Sequence, residues 1–143
     1  YYVNPNQDSG NTASINYGFP IENFKIAKSH IEKSLKQRGL DKNELMKCGD
    51  QALIFYIITL LISYSRSIIL GKVDAVRGKN NRRKIIKEII NDKEIIKAVK
   101  NYIPSKQESM WIPRAISLGS QFLTELACNI RAKNTIKKRR KGE

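Results

Sequence analysis

Two short stretches concentrate the residue types that could do chemistry in this chain. Residues 77–87 hold six cations, Arg77, Lys79, Arg82, Arg83, Lys84 and Lys87, and no acid. Residues 133–141 hold six more, Lys133, Lys137, Lys138, Arg139, Arg140 and Lys141, again without an acid. Like charges this close repel one another, so a polyanion is the expected neighbour of both blocks. Nucleic acid comes first among polyanions, because Lys and Arg on phosphates release counterions and give affinity without reading sequence. Arg82, Arg83 and Lys84 are expected at the start of a helix, where backbone N–H groups and the macrodipole add to the same attraction. The alternative for the first block is a solvated basic loop. For the second, IKKRRKGE, the alternatives are a nuclear import signal, a solubilising end or contact with an anionic membrane surface.

Other chemistry finds little footing. Cys48 and Cys128 are the two cysteines and His30 the one histidine, with no CxxC or His-rich spacing, so no metal site is expected. The thiols read as buried or idle, or as one disulfide. There is no phosphate-cradling glycine loop, no acid pair with a helix-spaced histidine and no Ser–His arrangement, so the chain is expected not to be an enzyme and to need no cofactor. His30 falls among lysines on a helix and reads as structural or exposed. Zinc fingers, RNA-platform motifs and a helix-turn-helix signature are missing, and few aromatic residues lie near the basic blocks. Backbone and shape recognition is what remains.

The elements that must carry these blocks read as helices. Residues 1–19 contain no Lys or Arg and one acid, Asp8, with Asn, Ser, Gly and Pro among Tyr1, Tyr2, Ile15, Tyr17 and Phe19. They read as an extended arm whose apolar side chains pack on a neighbour, against the alternative of an idle tag. A start at Tyr1 rather than Met is expected of a chain that is processed, trimmed or numbered from a mature end, and no signal-peptide pattern appears there. Pro20 suits a first helical position, and Ile21, Phe24, Ala27, Ile31 and Leu35 follow on one face until Gly39 closes the helix. Lys25 and Lys28 on this helix read as members of an exposed charged face, with a supporting phosphate contact as the alternative.

Asp41 and Glu44 have capping-box spacing and open a short helix to Cys48. Gly49-Asp50 marks a break or kink, after which residues 52–70, ALIFYIITLLISYSRSIIL, form an apolar helix ending at Gly71. Its length approaches that of a membrane span, but Arg66 and the serines around it favour a central helix buried in a bundle. Residues 71–81 read as a basic connection. A third helix follows, burying Ile85, Ile86, Ile89, Ile90, Ile96 and Val99, with an interruption at Asn91-Asp92 and an end at Ile103-Pro104. Ser105 and Glu108 again have capping-box spacing. Pro113 restarts or kinks the last helix, whose buried stripe is Ile116, Phe122, Leu123, Leu126 and Ile130.

The expectation is therefore an all-α protein: a four-helix bundle over residues 20–134, an extended N-terminal arm over 1–19 and a basic C-terminal tail over 135–143. The formal charge is +14 on 143 residues, and Ile outnumbers Leu 21 to 10, a bias that AT-rich genomes of many viruses, parasites and some thermophilic archaea produce.

In its 1–19 arm, four helical segments and basic runs, the chain resembles the major capsid proteins of filamentous archaeal viruses of the lipothrixvirus type. The resemblance implies a small basic helical bundle that packs side by side with copies of itself, often with a related second subunit. It also implies linear double-stranded DNA held in an A-like form through its backbone, and so a virion location. The charge concentrated at the carboxyl end departs from that pattern. A second reading is a histone-like chromatin module, nuclear in location, in which residues 107–134 form the long central helix and KKRR follows. A third is an accessory subunit of a ribonucleoprotein.

Overall fold

A computed structural model describes residues 21–142, so the expected arm over 1–19 and Pro20 as a first helical residue lie outside the described residues. Among those described the chain is all-helical, with no strand. The helices are α1 (Ile21–Gln37), α2 (Lys42–Ile69), α3 (Ala75–Asn91), α4 (Lys93–Lys100), α5 (Trp111–Ser117) and α6 (Gln121–Lys141).

The ends of these helices follow from single residues. Asp41, Asp74, Asp92 and Ser120 each accept a hydrogen bond from the backbone N–H three residues on, the N-cap arrangement for α2, α3, α4 and α6. At the other ends, Gly39, Gly71 and Gly119 take φ of 89°, 73° and 68°. The N–H of the residue after each glycine reaches back five residues (Leu40 to Leu35, Lys72 to Ser67, Ser120 to Ala115), the Schellman closure that glycine makes without strain.

Several sequence expectations change. Gly49-Asp50 does not break the chain, and α2 runs unbroken for 28 residues. Gly49 serves a close approach instead, since a Cβ there would lie 2.3 Å from Glu32 Oε1 of α1. Residues 71–81 are not a connection, because Asp74 starts α3 at Ala75 and puts Arg77 to Lys87 within a helix. Asn91-Asp92 is a real interruption. Ser105 and Glu108 form no capping box; they sit in a turn closed by their backbones, and the Glu108 carboxylate accepts from the Tyr102 hydroxyl instead. Pro113 lies inside the first turn of α5, and the separation from α6 comes at Gly119. Residues 107–134 thus do not make the single long helix a histone-like module needs. The basic residues from 135 to 141 continue α6 rather than forming a separate tail.

The core is built around α2. Leu53, Ile54, Ile57, Leu61 and Tyr64 are at most 1% exposed and meet Ile86 and Ile89 of α3, Ile95 of α4, Ile112 and Ile116 of α5 and Cys128 of α6 in one cluster, with Ile21 of α1 at its edge. Each fully buried aliphatic side chain contributes about 1.5–3 kcal/mol, so the isoleucines outweigh any cap or ion pair. α2 is long and apolar enough to cross a membrane, and half of its most apolar window is buried against the other helices. The last helix reverses its expected face. Phe122 is 72% exposed and Leu123, Leu126 and Ile130 are also exposed, while Thr124, Ala127, Cys128 and Ala132 face the core. Small residues there let α6 approach α2 closely, and the large ones are left outside.

Candidate nucleic-acid interface

The two basic blocks lie on α3 and α6, which pack directly against each other. Each helix carries one acid, Glu88 on α3 and Glu125 on α6. Arg77, Lys79, Lys84 and Lys87 on α3 are exposed, as are Lys133, Lys137, Lys138, Arg139, Arg140 and Lys141 on α6. None of these ten makes an ion pair within 4.0 Å among the described residues.

Arg82 and Arg83 depart from that group. Arg82 is 2% exposed: its Nη1 donates to Ser65 Oγ of α2 at 3.0 Å and to Asn129 Oδ1 of α6 at 2.7 Å. It is a core strut joining three helices, and a phosphate cannot reach it without unpacking them. Arg83 is exposed but engages Glu125, Nε to Oε1 at 3.1 Å. The expected helix start at Arg82, Arg83 and Lys84 is likewise two turns inside α3, so no N-terminal dipole helps them. At α6 the dipole acts in the other sense. Lys138, Arg139, Arg140 and Lys141 occupy its last turn, where cations stabilise the helix by about 0.3–1 kcal/mol each at low salt. That accounts for a basic helix end but not for Lys133, Lys137 or the α3 cations.

Five of the acids, Glu22, Glu32, Asp50, Asp92 and Glu94, are spent on two lysines of α1. Lys25 of α1 meets Asp92 at 2.7 Å and Glu94 at 3.5 Å; Lys28 meets Asp50 at 2.8 Å and Glu94 at 3.2 Å. These pairs clamp α1 onto α2 and onto the start of α4, so both lysines are structural rather than free for phosphate. Burial alone would lower the Lys28 pKa, but the hydrogen bonds to Asp50 and Glu94 raise it above the ordinary value. Five acids are thus committed to the α1–α4 clamp, and the densest runs of unpaired cations lie on α3 and α6.

Arg66 is a cation the basic blocks do not include. It lies on α2, half-buried, and its guanidinium makes no hydrogen bond or ion pair among the described residues. It lines a cavity of about 230 Å³ together with Arg131 and Thr135 of α6. Burial pulls its pKa down and Arg139 nearby pulls it further, as expected of a guanidinium facing another cation. The signal was in the sequence, an arginine inside the most apolar helix, but only the α2–α6 packing shows what it faces. His30 is exposed on α1, and among the described residues no group of three or more His, Cys, Asp or Glu could hold a metal ion. No family model, curated protein or solved structure matches this chain.

Proposed function

We propose that this chain is a structural nucleic-acid-packaging protein, a capsid or nucleocapsid subunit of the filamentous-virus type that coats double-stranded DNA through its phosphate backbone. The observation that carries this reading is the surface of α3 and α6, where ten exposed cations have no acidic partner within 4.0 Å among the described residues. Such a surface is electrostatically incomplete alone and suits a regular array of phosphates. Arg66 and Arg131 extend it inward along the α2–α6 seam. The long helices α1, α2, α3 and α6 serve as a four-helix scaffold, with α4 and α5 as short struts, giving the shell rigidity. In this reading the protein acts by charge neutralisation and self-assembly in the virion, needs no cofactor, and pairs with copies of itself or a related second subunit.

The test is electron microscopy of the purified chain with and without linear double-stranded DNA at moderate salt, alongside binding isotherms at several salt concentrations. Regular filaments that enclose the DNA are expected, with affinity falling about 10³–10⁵-fold between 50 and 200 mM salt if six to ten phosphates are engaged. Discrete particles and a flat salt dependence would overturn the reading. Tighter retention of RNA than of DNA of equal length would move it to the ribonucleoprotein alternative.

A further inference from the structure

The large apolar residues left outside on α6 line a groove. Between α5 and α6 lies a concavity of about 690 Å³ walled by Met110, Trp111, Leu118, Leu123, Leu126 and Ile130. Trp111 and Leu118 are 68% and 73% exposed. Arg114 sits over the Trp111 ring at 5.6 Å and, with Arg131 set against the single acid Glu108, leaves the lining net positive. A contiguous apolar surface of this kind on a small protein marks an interaction site.

Charge decides what can fill it. All 27 cations and 11 of the 13 acids lie within residues 21–142, a net +16 for that part of the chain. Two such bodies pressed face to face would repel. Residues 1–20 contain no Lys or Arg and one acid, Asp8, so they are the part of another copy that can approach an Arg-rimmed groove without that penalty. Their apolar residues fall in two groups, Tyr1 to Val3 and Ile15 to Phe19. The eleven polar-rich residues between them, 4–14, reach at most about 36–40 Å. The longest helix, α2, is about 42 Å end to end, so that reach serves a copy packed side by side rather than one stacked end to end.

We propose that the α5–α6 groove receives the apolar groups of the amino-terminal arm, residues 1–20, of a second copy of this chain. The inference rests on the self-assembling reading above and gives it a contact. An arm-to-groove contact is head-to-tail, and a head-to-tail contact that does not close propagates into an open helical filament.

The experiment uses three full-length chains without nucleic acid: the parent, an arm variant (Tyr2→Asp with Tyr17→Asp) and a groove variant (Leu126→Glu with Ile130→Glu, both exposed positions). Sedimentation velocity reads association. Emission of Trp111, the one tryptophan in the chain, reads groove occupancy. The parent is expected to associate, and each variant alone to associate at least about tenfold more weakly. An equimolar mixture of the two variants should then form 1:1 dimers, with Trp111 emission of the arm variant shifted to the blue, because one intact arm meets one intact groove. An arm variant that associates as well as the parent would overturn the proposal, since the groove would then be covered by another surface. A monomeric parent with Trp111 already shielded would overturn it too, in favour of a chain's own arm. The arm variant keeps every cation, so its DNA salt dependence is measured separately, and a parent chain that associates but binds no DNA would be a failure of the packaging reading alone.

Discussion

A guanidinium buried among neutral groups is costly unless its N–H donors are satisfied, and Arg82 meets that condition only in part. Two of its bonds go to Ser65 and Asn129, neither of them charged, and its Nε has no partner among the described residues. The long side chain fills space between α2, α3 and α6 as well as bonding, so truncation leaves both a void and two orphaned oxygens. Arg82→Ala is expected to lower stability by about 2–4 kcal/mol, read as a shift in the urea midpoint. Lys84→Ala, at an exposed position, should leave the midpoint within about 0.5 kcal/mol and instead reduce the DNA salt slope by about one phosphate. A normal midpoint with a flatter slope in Arg82→Ala would contradict its assignment to the core. Beside it, burial pushes the Cys128 thiol up to about 12 despite the nearby Arg82 charge, whereas Cys48 is exposed. A thiol reagent at neutral pH should therefore titrate one cysteine in the native chain and two in denaturant. Two fast thiols in the native chain would mean that α6 opens away from Ser65.

The junction between α3 and α4 shows how one residue can do two jobs at the level of an element. Asp92 caps α4 through Ile95 N–H at 3.1 Å and holds Lys25 of α1 at 2.7 Å. Asparagine keeps a capping oxygen but loses the ion pair, and alanine loses both. Asp92→Asn should cost less than about 1 kcal/mol and Asp92→Ala about 1–2 kcal/mol. The pH dependence separates the terms further. Burial raises the Asp92 carboxyl, but the bonds from Lys25 and from Ile95 N–H outweigh it and hold the group below its ordinary value. Its contribution is therefore full above about pH 4, the unfolded carboxylate value, and is lost as pH falls through the lower folded value. The gap between parent and Asp92→Asn in urea should narrow steadily as pH falls below about 4, and a gap that does not narrow would rule out the ion pair as its source. This junction was legible in the sequence, as were Asp41 and Gly39, because Asn, Asp and Gly at helix boundaries have local backbone causes. Gly49 was not, since its reason is a carboxylate on another helix. The start of α3 was hidden because the two glycines among its cations outweighed Asp74.

At the scale of the whole molecule, the helical class and the two basic blocks were legible, and the sorting of charge was not. Composition tells how many cations there are; only packing shows that Arg82 is inside, that Arg83 is matched by Glu125, and that Lys25 and Lys28 hold five of the acids. The α6 face failed for a related reason. Phe122, Leu123, Leu126 and Ile130 repeat at helical spacing, and periodicity locates an apolar stripe without saying whether the cover comes from the same chain or another. If the proposed packaging and groove contacts hold, these two surfaces respond oppositely to salt. Contacts from α3 and α6 cations to phosphate would weaken as ionic strength rises, because counterion release loses its advantage. Contacts in the α5–α6 groove lose no comparable term, and screening of the +16 bodies, with a Debye length near 8 Å at physiological salt, removes repulsion between copies. Raising NaCl from 50 to 500 mM is therefore expected to release DNA while self-association in its absence holds or strengthens. Sulfate should strengthen it further through its exclusion from apolar surface. Fluorescence anisotropy of labelled DNA and sedimentation of the DNA-free chain, run over the same salt series, check both halves. If association and DNA binding fell together along that series, the groove could not be the assembly contact, and the copies would have to be held by charged contacts between them.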